Sequence, residues 1–412
     1  MNPIVIVGGG HAGAQLCATL AEAGLGPQVH LVCAENLLPY QRPPLSKAFL
    51  KSPEQAAQLH RAEAWFASAG ITLHLGDAAV AIDRAAQVLR LQSGTVLPYA
   101  QLVLATGARA RRLAALPSGP GQGLANVAEL RHAADATALR KQLAGAQSLT
   151  VLGGGFIGLE VAATAHALGL AVRVIEAQPR LLSRSVSAEL ADHILATHRA
   201  AGIEIEISAQ VGGFEHDGQR LQALQLNGQR LAIDLLLLGI GAEPDCTLAA
   251  QAGLAVGNGI VVDAALRSSD PAILAIGDVA QFPVAAGWAP AGTRLRLESV
   301  QNANDQARTA AATLMGKNSA YAALPWFWSE QGALRLQMAG LKPDAAGAVR
   351  HRRPGATAAS FSVLHYLADR LLCVESVNAP MDHMMSRKLM EAGRHPPPAV
   401  MADPAVALKS LL

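Results

Sequence analysis

The sequence predicts an α/β fold with two parallel β-sheets, followed by a smaller α+β domain at the C-terminus. One pattern predicts the two sheets: a strand, a glycine-rich turn, an alanine-rich helix and a second strand occur first from Ile4 and again from Leu149. Alternating segments such as residues 360–366 come later and are typical of antiparallel strands. With 412 residues, the chain is long enough for two or three domains.

The composition argues against several classes of protein. Hydrophobic residues make up 51% of the chain and charged residues 16%, which favours packed sheets over disorder. A formal net charge of +2 gives no reason to expect a nucleic-acid partner. Apolar runs such as residues 235–238 are far shorter than the roughly 20 residues that cross a bilayer, so we expect no membrane partner. The chain opens without a signal-peptide pattern, and a cytoplasmic location is the expected default.

Both glycine-rich turns carry the pattern G-x-G-x-x-G between a strand and a helix. The first glycine permits the tight turn, the second lets the backbone approach a pyrophosphate, and the third lets the helix pack on the strand. The pyrophosphate then lies at the positive N-terminus of the helix. We therefore predict two Rossmann-like dinucleotide-binding domains. The glycines are Gly8, Gly10 and Gly13 in the first copy, and Gly153, Gly155 and Gly158 in the second.

An acidic residue at the end of the second strand selects the nucleotide in such units. In the second copy this residue is Glu176, whose carboxylate can accept hydrogen bonds from a ribose diol and repels a 2′-phosphate. NADH is therefore favoured over NADPH. The nearby Arg173, Arg180 and Arg184 leave NADPH open, because a guanidinium can pair with phosphate. In the first copy the nearby carboxylate is Glu35.

Two dinucleotide sites in one chain suggest a flavin carrier and a nicotinamide donor. Two further segments support this interpretation: Ala105-Thr106-Gly107 after one strand, and Gly277-Asp278 after another. With them the sequence resembles the glutathione-reductase-like flavoproteins that have two dinucleotide-binding domains. The resemblance implies that FAD binds the first unit and that Asp278 binds its ribityl chain.

The same resemblance implies a domain order. The FAD-binding domain would comprise residues 1–111 and 234–316, with an NAD-binding domain of residues 112–233 inserted into it. The C-terminal α+β domain would comprise residues 317–412.

Four separate segments narrow the resemblance to one branch of these flavoproteins. They are residues 39–47 (PYQRPPLSK), 158–160 (GLE), 297–303 (LESVQNA) and 325–331 (PWFWSEQ). Together they resemble the oxygenase-coupled ferredoxin reductases, the group that contains putidaredoxin reductase and the biphenyl dioxygenase reductase component. The resemblance implies an FAD-dependent NADH:ferredoxin oxidoreductase. Such an enzyme takes hydride from NADH and passes single electrons to a soluble [2Fe-2S] ferredoxin, which supplies a P450 or a Rieske-type oxygenase.

The resemblance also assigns residues to the site, and it implies that the site contains no metal. Lys47, paired with Glu160, would stabilise negative charge on the reduced flavin, and Trp328 would lie beside the flavin ring. FAD contacts are assigned to Gly8, Gly10, His11, Ala12, Gly13, Ala34, Glu35, Arg42, Lys47, Val80, Thr106, Gly107, Arg131, Gly277, Asp278, Val300 and Trp328. The NADH site is assigned to Gly153, Gly155, Ile157, Gly158, Glu160, Glu176, Arg184 and Gly241.

The cysteines bear on the alternatives. A disulfide reductase of the same fold needs a close redox pair, commonly C-x-x-x-x-C soon after the first unit, and residues 42–47 contain no cysteine. A rubredoxin reductase and an NADH oxidase remain open. A different class also remains, an NADH-binding flavoprotein resembling apoptosis-inducing factor, in which NADH changes partner interactions. The four cysteines, expected to be buried thiols, are Cys17, Cys33, Cys246 and Cys373.

Overall fold

The computed structural model describes residues 3–117, 123–285 and 292–412. The chain forms two compact units, each assembled from separate segments. The first unit comprises Met1–Arg42, Ala57–Arg109 and Glu243–Phe327, and the second comprises Pro43–Ala56, Ala110–Ala242 and Trp328–Leu412. In the described ranges, no helix is both long enough and apolar enough to cross a membrane.

The strands are numbered in chain order. They are β1 (Ile4–Val7), β2 (Val29–Cys33), β3 (Thr72–Leu75), β4 (Ala79–Asp83), β5 (Val88–Leu91), β6 (Val96–Pro98), β7 (Gln101–Leu104), β8 (Ala108–Ala110), β9 (Val127–Ala128), β10 (Ser148–Leu152), β11 (Ala171–Ile175), β12 (Glu204–Glu206), β13 (Val211–His216), β14 (Leu221–Leu226), β15 (Gln229–Ala232), β16 (Leu235–Leu238), β17 (Ala242–Pro244), β18 (Val256–Gly257), β19 (Gly259–Val261), β20 (Ile273–Ala275), β21 (Ala280–Pro283), β22 (Arg294–Leu295), β23 (Trp326–Gln331), β24 (Leu334–Gly340), β25 (Ala348–Pro354), β26 (Phe361–Leu367) and β27 (Arg370–Val377).

The helices are numbered in the same way. They are α1 (His11–Glu22), α2 (Ala48–Lys51), α3 (Glu63–Ser68), α4 (Ala133–Gly145), α5 (Phe156–Ala167), α6 (Ala188–Ala200), α7 (Thr247–Gln251), α8 (Val300–Leu314), α9 (Pro380–Glu391) and α10 (Pro398–Ala402). Short 3-10 turns occur at Gly26–Gln28, Pro43–Ser46, Gly277–Val279 and Leu408–Leu411.

The first unit is built on a parallel sheet with the strand order β3-β2-β1-β7-β20. All four residues of β1 are buried, as expected for a central strand that is covered on both faces. In β1, Ile4 lies opposite Val29 on one side and Gln101 on the other. A small antiparallel sheet, β4-β5-β6, is inserted between β3 and β7.

The second unit repeats this architecture. Its parallel sheet has the order β12-β11-β10-β16-β9, and an antiparallel sheet, β13-β14-β15, is inserted between β12 and β16. Leu149 of β10 pairs with both Val172 and Leu235. Because β16 belongs to this sheet, the sheet extends past the predicted boundary at residue 233. The sequence repeat thus corresponds to a repeat of the fold, and the predicted pair of parallel sheets is present.

The C-terminal segment of the second unit forms a sheet with the order β23-β24-β27-β26-β25. The pairings of β24, β27, β26 and β25 are antiparallel, as the alternating sequence predicts. Phe361 and Tyr366 of β26 are fully buried, and α9 packs against β24 and β27. The predicted α+β character of this region is therefore present.

The glycine turns allow the backbone to approach closely. Gly8 has a φ of 117° and Gly153 a φ of 110°, values that favour glycine. A Cβ atom on Gly8 would collide with the carbonyl oxygen of Ala105, and one on Gly153 would collide with that of Gly239. A Cβ atom on Gly13 would overlap the carbonyl oxygen of Gly8.

The close approach at Gly13 gives a test of the fold. Gly13→Ala should lower the free energy of unfolding by about 2 to 4 kcal/mol, because neither the turn nor the helix can move away without losing packing. The midpoint of thermal unfolding, followed by circular dichroism, measures the change. Gly145→Ala is the control, because its Cβ would meet no atom within 4 Å, and it should be neutral or stabilise by up to about 1 kcal/mol. Equal midpoints for the two variants would contradict the prediction.

Candidate functional site

The helices that follow the two glycine turns begin without side-chain caps. In the described part of the chain, no side chain caps α1 at Gly10 or α5 at Gly155, and neither helix has an acidic residue in its first turn. By contrast, Ser187 caps α6 and Ser299 caps α8. Uncapped helix N-termini present backbone N–H groups and a positive dipole end, an arrangement that suits an anion.

Each unit has an arginine near its glycine turn, directly against it in the first unit and on an adjoining loop in the second. In the first unit, Nε of Arg42 lies 4.0 Å from the position that a Cβ atom would take on Gly10. In the second unit, Arg184 belongs to the loop whose Leu182 N–H donates to the carbonyl oxygen of Gly154, and its Nη2 lies 3.9 Å from the position that a Cβ atom would take on Gly241, three residues after β16. A bare helix N-terminus together with a guanidinium fits a pyrophosphate group. The residues present therefore fit one dinucleotide in each unit.

Two further predicted segments lie beside the first glycine turn. Gly8 closely approaches Ala105, which precedes Thr106 and Gly107. The Cβ position of Gly277 lies 3.1 Å from Cβ of Ala12 in α1, and the Gly277 N–H donates to Oε1 of Gln306 at 2.7 Å. The structure thus brings together three segments that are far apart in the sequence.

The ends of the second strands differ between the two units. The Gly8 N–H donates to the carbonyl oxygen of Val32, and the Gly153 N–H donates to that of Ile175. By this register, Cys33 in the first unit corresponds to Glu176 in the second. The pattern of residue types in the sequence pointed instead to Glu35, two residues further on.

Glu176 is fixed by two backbone donors. Its Oε2 accepts a hydrogen bond from the Gly154 N–H at 2.6 Å, and its Oε1 accepts one from the Gln178 N–H at 2.7 Å. The carboxylate therefore lies directly against the glycine turn.

Arg173, one of the arginines that left NADPH open, is bound to Glu204, with its Nε at 2.8 Å from Oε2. The Arg173 guanidinium is therefore paired with a carboxylate on the neighbouring strand β12.

The first unit places a thiol and a carboxylate near its glycine turn. Cys33 is buried beneath Gly9, and burial together with the charge of Glu35 raises the pKa of its thiol to about 12. Oε2 of Glu35 accepts a hydrogen bond from the Tyr40 hydroxyl at 2.7 Å, and Oε1 lies 3.5 Å from Nη2 of Arg42. Glu35 therefore lies beside the arginine that approaches Gly10.

The strongest polar cluster of the second unit surrounds Glu160. Glu160 lies on α5 with 3% of its surface exposed. Its Oε2 accepts a hydrogen bond from Oγ of Ser46 at 2.5 Å and lies 2.6 Å from Nζ of Lys47. Its Oε1 accepts a hydrogen bond from Oγ of Ser329 at 2.7 Å. A buried carboxylate is tolerable when it is paired and hydrogen-bonded, and these three donors satisfy both conditions. The predicted pairing of Lys47 with Glu160 is thus present in the structure.

A chain of side chains leads away from this cluster. Nε2 of Gln331 donates to Oγ of Ser329 at 3.2 Å, and Oε1 of Gln331 lies 2.9 Å from Nε2 of His198. Burial lowers the pKa of His198, so its imidazole is neutral at pH 7 and its Nε2–H can donate to Gln331. The donors of this chain therefore point toward Glu160.

Sequence reasoning did not assign roles to these polar partners. Ser46 and Ser329 were part of the segments that carried the resemblance, but they are 114 and 169 residues away from Glu160. No spacing pattern reports such a contact. The adjacency of Ser46 to Lys47 was the only local signal.

Several other predicted residues can be placed individually. Trp328 is half-buried on β23 next to Ser329, and because side chains alternate along a strand it projects from the opposite face. Val80 on β4 is 47% exposed, and Ile157 in the first turn of α5 is 48% exposed. Three of the residues assigned to FAD are placed by their contacts. The His11 ring meets the His60 ring edge-on, Thr106 Oγ1 donates a hydrogen bond to the carbonyl oxygen of Asp245, and the Arg131 N–H donates one to Asp135. Three others are placed by their element: Ala34 follows β2, Asp278 lies in the turn Gly277–Val279, and Val300 begins α8.

The four cysteines are all free thiols. Burial raises the pKa of each, so all four are protonated at pH 7; they are Cys17, Cys33, Cys246 and Cys373. They supply no reactive thiolate for disulfide exchange.

Comparison with known families agrees with this geometry. Residues 2–307 match the family described as pyridine nucleotide-disulphide oxidoreductase, and residues 326–412 match the family described as reductase C-terminal. The chain belongs to the pyridine nucleotide-disulphide oxidoreductases. Within them it falls among the ferredoxin reductases of oxygenase systems. The predicted fold class, family and oxidoreductase class are confirmed.

Individual relatives cover nearly the whole chain. Rhodocoxin reductase of Rhodococcus erythropolis is 43% identical over 98% of this chain and 93% of its own length. A crystal structure of a covalent putidaredoxin reductase–putidaredoxin complex matches with a TM-score of 0.92 and 37% identity, covering 100% of this chain and 98% of the other. Rubredoxin-NAD(+) reductase of Pseudomonas putida is 37% identical over 92% of this chain and 96% of its own length.

The Lys47–Glu160 pair can be tested without any cofactor reaction. Lys47→Met removes the cation from a buried carboxylate and should destabilise the protein, as should Glu160→Gln. The double variant should be more stable than the sum of the two effects implies, with a coupling free energy of about 1 to 3 kcal/mol. Denaturant unfolding of the four proteins measures the coupling.

The exposed pair Arg230–Glu215 serves as the control for that cycle. Its side chains are 53% and 43% exposed and its atoms lie 2.8 Å apart. The same double-mutant cycle there should give less than about 1 kcal/mol. Purely additive effects at Lys47 and Glu160 would show that the pair is not coupled.

Proposed function

We propose that this chain is an FAD-dependent NADH:ferredoxin oxidoreductase, with FAD bound by the first unit and NADH by the second. One observation carries the proposal: each unit presents an uncapped helix N-terminus after its glycine turn. In the first unit Arg42 lies beside that turn at Gly10, and in the second Arg184 lies on the loop that is hydrogen-bonded to Gly154 of the turn. FAD and a nicotinamide nucleotide are the cofactors used in this family. When bound, FAD supplies the chemistry that turns the two-electron hydride of NADH into single electrons.

The proposed acceptor is a soluble [2Fe-2S] ferredoxin that supplies a P450 or a Rieske-type oxygenase. The solved putidaredoxin reductase–putidaredoxin complex supports a ferredoxin as the partner. The protonated, separate cysteines give no support to disulfide reduction. We place the protein in the cytoplasm, where NADH is produced and thiols stay reduced.

Lys47 and Glu160 have the chemistry for the proposed catalytic role. Glu160 holds the Lys47 ammonium at 2.6 Å, and 20% of the Lys47 side chain remains exposed. A fixed positive charge can stabilise the negative charge of a reduced flavin. Ser46 and Ser329 fix the carboxylate that holds this lysine, so we assign them a positioning role. Trp328 is proposed to lie beside the flavin ring, and the other residues assigned above to FAD and NADH are part of the same proposal.

The proposed domain division follows the sheets. The NAD-binding domain begins at residue 112 and extends through β16 to residue 242, because β16 pairs with β10. The FAD-binding domain comprises residues 1–111 and 243–316, and the C-terminal domain comprises residues 317–412. The match of residues 326–412 to a separate family supports the last division.

A rubredoxin reductase is the second candidate. It is favoured by the relative that is 37% identical over 92% of this chain and is named for rubredoxin. A protein that binds NADH as a signal, resembling apoptosis-inducing factor, is the candidate from another class. These candidates differ in which acceptor speeds turnover.

Steady-state oxidation of NADH by the FAD-loaded protein distinguishes them. We expect a [2Fe-2S] ferredoxin from a panel of such proteins to accelerate NADH oxidation many-fold over oxygen alone, with a rubredoxin tested in parallel. Acceleration by rubredoxin only would favour the second candidate. If NADH reduces the flavin but no acceptor increases turnover, the reductase proposal fails and an NADH-sensing role gains support.

Glu176 provides the test of nucleotide choice. Glu176→Ala should lower kcat/KM for NADH by about 10- to 100-fold, because hydrogen bonds to a charged acceptor are lost. The kcat/KM for NADPH should fall less, so the preference for NADH over NADPH becomes smaller. Glu176→Gln keeps one acceptor oxygen, so its kcat/KM for NADH should lie between those of the wild type and of Glu176→Ala. An unchanged ratio of NADH to NADPH efficiency would remove Glu176 from the ribose site.

A further inference from the structure

The loop between β11 and α6 lies directly on the second glycine turn. The Leu182 N–H donates to the carbonyl oxygen of Gly154 at 3.1 Å. The side chain of Leu181, which is 1% exposed, lies against the same glycine. Arg184 projects from this loop, with Nη2 3.9 Å from the Cβ position of Gly241. The path of the loop therefore sets where this guanidinium lies relative to the glycine turn.

The loop has an unfavourable backbone conformation. Leu182 has a φ of 51°, in the left-handed region that branched and bulky side chains avoid. The turn is closed by hydrogen bonds to the Leu182 carbonyl oxygen from the N–H groups of Ser185 at 2.8 Å and Val186 at 3.1 Å. A strained turn persists only where surrounding contacts hold it.

Those contacts include two side chains of the C-terminal domain. Nζ of Lys342 donates to the carbonyl oxygen of Val186 at 3.0 Å. The N–H of Ser187 donates to Oε1 of Glu375 at 2.8 Å. Because Val186 and Ser187 share one peptide bond, both polar groups of that peptide are held from the C-terminal domain.

The carboxylate that holds Ser187 is itself rigidly placed. Glu375 lies within β27 and is 0% exposed. Its Oε2 lies 3.0 Å from Nε2 of His365, a residue that is 3% exposed on the adjacent strand β26. A fully buried carboxylate is costly unless it is paired and hydrogen-bonded. Here one oxygen of Glu375 contacts the Ser187 N–H before α6, and the other contacts His365 on β26. Support of this kind keeps side chains and loops within a narrow range of positions.

We infer that Lys342, Glu375 and His365 are positioning residues for nicotinamide-nucleotide binding, acting from the C-terminal domain through the loop that carries Arg184. This inference rests on the proposed function, since it takes the second glycine turn as the NADH site. It gives the C-terminal domain a part in binding the electron donor.

Calorimetric titration of NAD⁺ into the full-length, FAD-loaded, oxidised protein tests the inference. Lys342→Met should weaken NAD⁺ binding by about 3- to 30-fold, as should Glu375→Met, while Lys342→Arg should restore most of the affinity. Lys388→Met is the matched control: it is the same change at an exposed position on α9, and binding should stay within about twofold of wild type. The flavin absorbance and circular dichroism of each variant report whether it is folded.

A second experiment tells a positioning role of Lys342 from a general destabilisation of the protein. If Lys342 acts through Arg184, then Lys342→Met should cost little further affinity in an Arg184→Met background, because the positioned group is gone. The inference is overturned if Lys342→Met binds NAD⁺ like wild type, or if the two effects simply multiply. The milder Lys342→Met decides the matter even where Glu375→Met does not fold. If the wild-type protein binds no NAD⁺, the proposed NADH site itself fails and the inference falls with it.

Discussion

The buried carboxylate of Glu160 is the constraint on which the second unit depends. It lies in the first turns of α5, directly after a glycine turn, and is removed from water. An isolated carboxylate in such a place would be very costly, so the chain must bring donors to it. It does so from two distant segments, through Ser46 and Lys47 in one and Ser329 in the other. The placement of residues 43–56 and of the C-terminal sheet in one compact unit with α5 agrees with that requirement.

The two units show how a repeated fold can acquire different chemistry at equivalent positions. Both have the same order of four parallel strands, an inserted antiparallel sheet and an uncapped helix after the glycine turn, and they differ in whether the fifth strand follows the others in the chain, as β20 does, or precedes them, as β9 does. They differ where the second strand ends: Glu176 accepts a hydrogen bond from its glycine turn, whereas the corresponding Cys33 is a buried, protonated thiol. In the first unit, Glu35 and Arg42 form an ion pair two residues and more beyond that position. Equivalent positions thus carry different chemical groups on a shared arrangement of strands.

The C-terminal sheet contributes more than a covering layer. From it, Ser329 reaches Glu160, and Lys342 and Glu375 hold the peptide before α6. Glu375 projects from β27, which pairs antiparallel with β24 and β26, and Lys342 lies two residues after the end of β24, so both are precisely held supports. The family is named for disulphide chemistry, but the four cysteines of this chain are free thiols.

The sequence by itself determined the two parallel sheets, the antiparallel C-terminal sheet and both glycine turns, and its resemblance to a known family supplied the pairing of Lys47 with Glu160. Short-range patterns and recognisable segments carry that information, because strand, turn and helix signals act over a few residues. Only the tertiary structure decided that β16 belongs to the second sheet, that Cys33 rather than Glu35 matches Glu176, and which residues complete the Glu160 cluster. These features depend on strand register and on contacts between segments more than 100 residues apart, which burial enforces and local pattern does not report.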